Sequence, residues 1–185
     1  MTGRGAYFMS EFISDVAGIR ERARQSIEGG AVTGGYKGDR AQVVKVLNEA
    51  LATELVCILR YKRHHYMAKG IHSESVKAEF LVHAGEEQQH ADWIAERITQ
   101  LGGEPDFNPQ GLADRSHSEY APGTDLRSMI KEDLIAERIA IDTYADIIRW
   151  IGDDDPTTRK LMVDILKVEE EHADDMANLL EQHAG

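Results

Sequence analysis

Four stretches of the chain repeat apolar residues every three or four positions, the spacing that lines one face of an α-helix. The first, about Asp39 to Lys69, carries Val43, Leu47, Ala50, Ile58 and Tyr61 on one stripe and ends at Gly70. The second runs from about Ser73, read as its N-cap, to Leu101 and stops at Gly102-Gly103. The third, about Thr124 to Ile151, passes through Ile130, Leu134, Ile141, Tyr144 and Ile148 before Gly152. In "DDDPTTRK" Asp155 caps and Pro156 opens the fourth, which continues to about His183. No stretch alternates with a period of two, so no sheet is predicted.

The links between these patterns set the topology. The first and last are a few residues long, which forces antiparallel neighbours. The middle link, "GGEPDFNPQGLADRSHSEYAPG", has about twenty residues and three of the four prolines. That length lets the chain cross from one end of a bundle to the other, predicting an all-α four-helix bundle with one long crossover between the second and third helices. Residues 1–38 precede the bundle as an N-terminal extension, with a short amphipathic helix in "EFISDVAGIRERARQSI" and a Gly-rich loop in "GGAVTGGYKG". Residues 39–185 form the bundle domain.

The stripes are interrupted in a regular way. In "GEEQQHADW" Glu87 and His90 occupy positions where Leu or Ile is expected, and "VEEEHADDM" repeats this with Glu169 and His172. Residues three apart on a helix point the same way. Glu54 interrupts the first stripe between Ala50 and Ile58, and Glu137 the third between Leu134 and Ile141. Glu54 lies 33 residues before Glu87 and Glu137 32 before Glu169, so the chain reads as two helix pairs on one plan. Tyr61 and Tyr144 each follow the first glutamate of their pair by 7 residues, which predicts a ring stacked beneath each carboxylate.

A Glu-x-x-His spacing alone is weak evidence; its placement inside an apolar stripe is what discriminates. One ionised carboxylate buried without a partner costs several kcal/mol, and four together repel. A buried ion-pair network would need Arg or Lys on the same stripes, and Arg60, Arg97, Arg138 and Arg149 are read on flanking faces. Two divalent ions balance four carboxylates. Oxygen ligands with one nitrogen per ion suit iron or manganese better than zinc or copper.

Composition narrows the picture further. At 42% hydrophobic and 29% charged residues the chain is of globular type. Its single cysteine, Cys57, allows neither an internal disulfide nor a Cys-based metal site, and its helical setting predicts a buried, inert thiol. The start of the chain lacks the apolar core of a signal peptide and no run reaches membrane-spanning length, which makes a cytoplasmic protein the simplest expectation. The net charge is −12, and residues 1–40 hold six Lys/Arg against five Asp/Glu, so the acid excess belongs to the bundle. Such a body attracts cations and disfavours nucleic acid.

On these residues the chain resembles the ferritin-like superfamily, and within it bacterioferritins and Dps-like cage proteins. The resemblance spans about residues 39–184. "LNEALATELVCILRY" is similar to the bacterioferritin first helix, "EEQQHAD" and "VEEEHAD" to its two Glu-x-x-His segments, and "DLIAERIAI" to its third helix. It implies Glu54, Glu87, His90, Glu137, Glu169 and His172 as ligands of two iron ions, with Tyr61 as an auxiliary residue. It further implies a ferroxidase that oxidises Fe(II) with O2 or H2O2 and stores ferric mineral inside a homo-oligomeric shell.

Three departures refine this. The haem-binding Met of bacterioferritins is replaced by Gln88, so no haem is expected. The chain ends about two residues past the fourth helix, without the fifth helix of 24-subunit cages, which favours a 12-subunit Dps-like shell. The cysteine pair of one Dps-like subgroup is missing around His117 and Ile139. Related activities are peroxide scavenging, as in rubrerythrin or manganese catalase, and DNA protection, as in some Dps proteins. The first is disfavoured for rubrerythrin by the lack of a Cys₄ module, the second by the acids that offset Arg20, Arg22, Arg24 and Lys37.

Other polar residues carry less. Asp133, one turn before Glu137, either hydrogen-bonds a ligand histidine or is an ordinary polar helix residue. His83 and Glu86 are placed to shuttle iron, though a surface position is the simpler reading. His64, His65, His72, His117 and His183 are read as surface or helix-end residues, and Trp93 and Trp150 as packing or subunit-interface residues.

Overall fold

A computed structural model describes residues 15–71 and 73–182. The expectations for the first fourteen residues, for His72 and for His183 lie outside these. Among the described residues there are six α-helices and no strand: α1 (Val16–Arg22), α2 (Arg40–Met67), α3 (Ser73–Gln100), α4 (Leu112–Arg115), α5 (Leu126–Ile151) and α6 (Pro156–Gln182). The four long helices are those read from the stripes, and the fold is the predicted bundle with a long crossover.

Local chemistry sets their ends. Asp39 caps α2 by accepting from the Gln42 N–H. Asp125 and Ser128 form a reciprocal capping box at the start of α5, so that helix begins two residues later than the stripe suggested. Asp155 accepts from the Thr158 N–H at the start of α6, where Pro156 loses nothing by lacking its own. At the end of α3 the Gly103 N–H bonds Ile98 O and the Gly102 N–H bonds Thr99 O, a Schellman closure with Gly102 at φ 76°. A Cβ on Gly103 would lie 2.6 Å from Val44 Cγ1, so only glycine lets the chain leave α3 this close to α2.

The crossover lies along α2 and is pegged by its side chains. Asn48 donates to Glu104 O and accepts from the Asp106 N–H, and Thr53 Oγ1 accepts from the His117 N–H. Farther along, Arg60 donates to Ser118 Oγ and Glu119 O, and His64 Nε2 sits 3.1 Å from Pro122 O. This cover corrects two expectations. Arg60 and His64, read as flanking or surface residues, are fully buried. Arg97 is also nearly buried, against Asp155, while Arg138 and Arg149 are exposed as expected.

Asp133 turns out to serve this layer rather than a ligand histidine. Its carboxylate takes Arg60 Nε at 2.8 Å and faces His64 Nδ1 at 2.7 Å, with all three side chains out of water. Removing it leaves a buried guanidinium unpaired, which costs about 3–5 kcal/mol. Asp133→Ala should therefore melt about 6–20 °C lower at 2–4 °C per kcal/mol, whereas joint replacement of Arg60 and Asp133 by apolar residues should recover most of that loss in the same calorimetric scan.

Two apolar clusters fill the bundle. One joins Val43, Leu47, Leu51, Ile94, Ile98, Ile147, Met162 and Ile165; the other joins Phe80, Ala84, Ile130 and Met176 around Tyr61. The interrupted positions of the four stripes lie between them.

Candidate metal centre

Glu54 on α2, Glu87 and His90 on α3, Glu137 on α5, and Glu169 and His172 on α6 are each at most 2% exposed. They meet at one point. Glu54, Glu87, His90 and Glu169 form one group whose ligand atoms lie within 4.8 Å of one another, and Glu87, Glu137, Glu169 and His172 form a second. Glu87 and Glu169 belong to both. His90 Nδ1 approaches Glu169 Oε1 at 2.9 Å, Glu54 Oε2 at 3.4 Å and Glu87 Oε2 at 3.5 Å. His172 Nδ1 faces Glu87 Oε1 and Glu169 Oε2, each at 3.6 Å, and Glu137 Oε2 at 3.9 Å.

These approaches are not aligned as hydrogen bonds. Seven buried atoms of the six side chains have no hydrogen-bond partner: Glu54 Oε2, Glu87 Oε1, His90 Nδ1, Glu137 Oε2, both Glu169 oxygens and His172 Nδ1. Buried polar atoms are ordinarily satisfied. Here the unsatisfied ones converge, which fits a pair of cations better than an ion-pair network. No Lys or Arg is among them.

Electrostatics give the same picture. Burial pushes Glu54 well above the usual carboxylate range, and the charges of Glu87 and Glu169 add to it. Glu137 is raised in the same way, by burial first and then by Glu87 and Glu169. Burial also pushes Glu87 upward, but contacts from Glu54, His172 and His90 outweigh it and hold that carboxyl low. Burial opposes charge on the two imidazoles, yet the carboxylates around them raise His90 strongly and His172 to about 12. Without metal the cluster thus holds itself together with protons, and cations must displace them.

The tyrosines occupy different places from those expected. Tyr61 donates to Glu137 Oε1, and Tyr144 donates to Glu54 Oε1. Each ring serves the carboxylate of the other helix pair. Seven residues along a helix is about 10 Å, too far for a ring to reach its own glutamate. Because α2 and α5 run antiparallel, the same offset brings Tyr61 level with Glu137 and Tyr144 level with Glu54.

Sequence reasoning missed His83. Read as a surface residue, it is 1% exposed. Its ring stacks on His172 with centroids 4.0 Å apart, and its Nδ1 lies 3.2 Å from the Tyr61 oxygen. Burial and His172 lower it to about 4. The signal was present, since His83 is three residues after Phe80 and four before Glu87 on the same stripe. Glu86 is exposed at the rim and holds His172 Nε2 at 2.9 Å, which leaves Nδ1 turned inward. Gln88 is exposed and bonds Asp92. His65 is half-buried and His117 exposed, and Trp93 and Trp150 show 39% and 53% of their surface to solvent. Cys57 is buried, as expected, and burial raises its thiol well above the usual range.

A family model described as a ferritin-like domain matches residues 44–184. The chain is 28% identical to the bacterioferritin of Desulfovibrio desulfuricans over 142 residues, 76% of this chain and 75% of that one. It is 32% identical to a nutrient stress-induced DNA-binding protein of a Nostoc species over 145 residues, 76% of this chain and 78% of that one. Among solved structures, a bacterioferritin-related protein of Bacteroides fragilis, described as a dodecameric thioferritin, superposes with a TM-score of 0.77 at 32% identity, covering 80% of this chain and 89% of its own. The Desulfovibrio desulfuricans bacterioferritin, described with its diiron site, superposes at 0.68 with 27% identity, covering 77% and 80%. With residues 44–184, most of its length, matched by that family model, the chain belongs to the ferritin-like family.

Proposed function

We propose that this protein is a ferroxidase of iron storage and detoxification, and that Glu54, Glu87, His90, Glu137, Glu169 and His172 take up its Fe(II) substrate as a pair. The observation that carries this is the convergence of seven unsatisfied buried donor atoms from all four long helices. Glu87 and Glu169, common to both groups, would be shared between the two ions, and Glu54 with His90 and Glu137 with His172 would complete the ligands of one ion each. Relatives described as diiron proteins and oxygen-rich ligands favour iron, and the same set would accept manganese.

The side chains do three things. The carboxylates stabilise the ferric product over the ferrous substrate, because four negative charges favour the more highly charged ion. Tyr61 and Tyr144 fix the orientation of Glu137 and Glu54 through their hydroxyl protons. The apolar clusters on either side exclude bulk water. Two Fe(II) supply two electrons, which with two protons reduce O2 to H2O2, or H2O2 to two waters.

Residues 39–185 are the di-iron domain in this reading, and residues 1–38 an extension. The subunits assemble into a shell, with twelve favoured by the dodecameric relative. Half-exposed apolar residues on the outer faces of the long helices, Leu59, Leu81, Val82, Ile135 and Trp150 among them, supply the surface such contacts need. Two relatives are named for DNA binding; the net charge of −12 argues against that role here. Among the described residues no helix is long and apolar enough to cross a membrane.

Aerobic addition of Fe(II), followed by ferric absorbance and particle sizing, tests the proposal. Rapid oxidation with iron retained in a soluble shell is expected. Precipitation at the uncatalysed rate would sink the storage reading, and rapid peroxide consumption without iron retention would favour a catalase-like or rubrerythrin-like enzyme.

A further inference from the structure

A second group of donors meets outside the six-residue cluster, on the wall between α3 and α6. Glu79 and His83, one turn apart on α3, and Asp175 on α6 each offer a ligand atom, all within 4.8 Å of one another. His83 lies at the inner end, with its side chain 1% exposed, while the side chains of Glu79 and Asp175 are 38% and 52% exposed. Both carboxylates line a surface cleft of about 440 Å³ with Asn178, Glu181 and Gln182. The group is therefore reached from solvent.

Hydrogen-bond accounting decides what His83 presents to it. The Tyr61 hydroxyl has one proton, and that goes to Glu137 Oε1. Its oxygen can then only accept, so the His83 nitrogen 3.2 Å away, Nδ1, is the N–H donor. A neutral ring is left with a bare lone pair on Nε2. That lone pair faces Glu79 Oε1 at 3.4 Å and Asp175 Oδ2 at 3.6 Å. Three electron-rich atoms turned on one another repel, and the separations exceed the 2.7–3.2 Å of N–H···O hydrogen bonds. They suit a chelate instead, since ligand atoms each about 2.1 Å from one ion stand roughly 3.0–3.5 Å apart.

We propose that Glu79, His83 and Asp175 form a third divalent-cation site, from which ions pass inward to the buried cluster. One imidazole and two carboxylates, with water completing the shell, take Fe(II), Mn(II) or Zn(II). The ion would be held against the wall of the buried cluster, because His83 stacks on His172 and shares Tyr61 with Glu137. Glu86, at the rim beside His172, continues the line of carboxylates between the two. The delivery role rests on the buried cluster being the ferroxidase site; the binding itself does not.

Crystals of the assembled protein soaked in Zn(II) provide the test. An anomalous peak within bonding distance of His83 Nε2 is expected in the wild type and not in the E79Q/D175N double variant, whose altered side chains are exposed enough to leave the fold intact. Peaks at the buried cluster should persist in both. No peak at His83 in the wild type, or one that survives the double substitution, overturns the site. A peak at His83 without any at the buried cluster keeps this site and removes the ferroxidase reading instead. For delivery, the double variant should slow oxidation at limiting Fe(II) about tenfold, the range of electrostatic capture effects, with unchanged occupancy of the buried pair at equilibrium. An unchanged rate would overturn delivery.

Discussion

Glu87→Ala and Glu169→Ala should each empty the buried cluster of its pair of ions, whereas Glu54→Ala and Glu137→Ala should each lose one. Glu87 and Glu169 are common to both four-residue groups, and the other two glutamates belong to one group apiece. Removing a shared carboxylate takes a ligand from both ions and leaves the remaining charges too few to hold them together. Removing an unshared one leaves the second group complete. Site-resolved anomalous scattering from Co(II) reads the difference, and retention of a full pair in Glu87→Ala would end the bridging assignment. Fast Fe(II) oxidation should fall by more than about 100-fold in all four, beyond what loss of an outer-shell partner costs, because a two-electron reduction needs both ions. Metal-free Glu54→Ala and Glu137→Ala should fold at least as well as the parent. Burial already opposes the charge on Glu54 and Glu137, so a marked loss of metal-free stability would point to a buried ion-pair network instead.

Chelation should lower the melting temperature by roughly 15–30 °C. An ion present at about a thousand times its dissociation constant adds about 4 kcal/mol, two add about 8, and each kcal/mol is worth about 2–4 °C in a domain of this size. The pH dependence has a definite sign. His172 is raised from 6.5 to about 12, and His90 is raised with it. Their stabilisation of the metal-free fold is fully present below the unfolded value and is lost as pH rises through the folded one. Glu54 and Glu137 are raised too and act in the same direction, from 4.5 upward. Glu87 is held low and acts oppositely, its stabilisation being lost only as pH falls below 4.5. Metal binding competes with these protons and tightens as pH rises. The gap between Co(II)-loaded and metal-free melting temperatures should therefore widen from pH 6.5 to 8.5, and a gap that narrowed would show that protons do not hold the cluster.

Much of this centre was legible from periodicity because its donors interrupt stripes that are otherwise apolar. Glu54, Glu87, His90, Glu137, Glu169 and His172 each stand where a hydrophobic residue would pack, and the structure brings all six together. Capping chemistry likewise announced α6 at Asp155-Pro156. What stayed hidden depends on contacts between distant segments. Arg60 lies off the stripe and His64 near its end, three residues after Tyr61, and both look solvent-facing until the crossover, more than fifty residues later, covers them. The tyrosine exchange follows from the relative direction of α2 and α5, which helix periodicity does not encode. His83 was legible, but a histidine beside Glu86 and Glu87 is easily taken for part of a polar surface.

The two-group arrangement also bears on how such a chain could have arisen. The hairpin α2–α3 supplies Glu54, Glu87 and His90, and the hairpin α5–α6 supplies Glu137, Glu169 and His172. Neither completes its own group, since each borrows a glutamate from the other. A single ancestral hairpin with this plan would have had to meet a copy of itself about a twofold axis to close the cage. The crossover then reads as the joint of a fusion, and the two halves are no longer alike, since Ile165 and Val168 occupy in the second hairpin the places that His83 and Glu86 hold in the first.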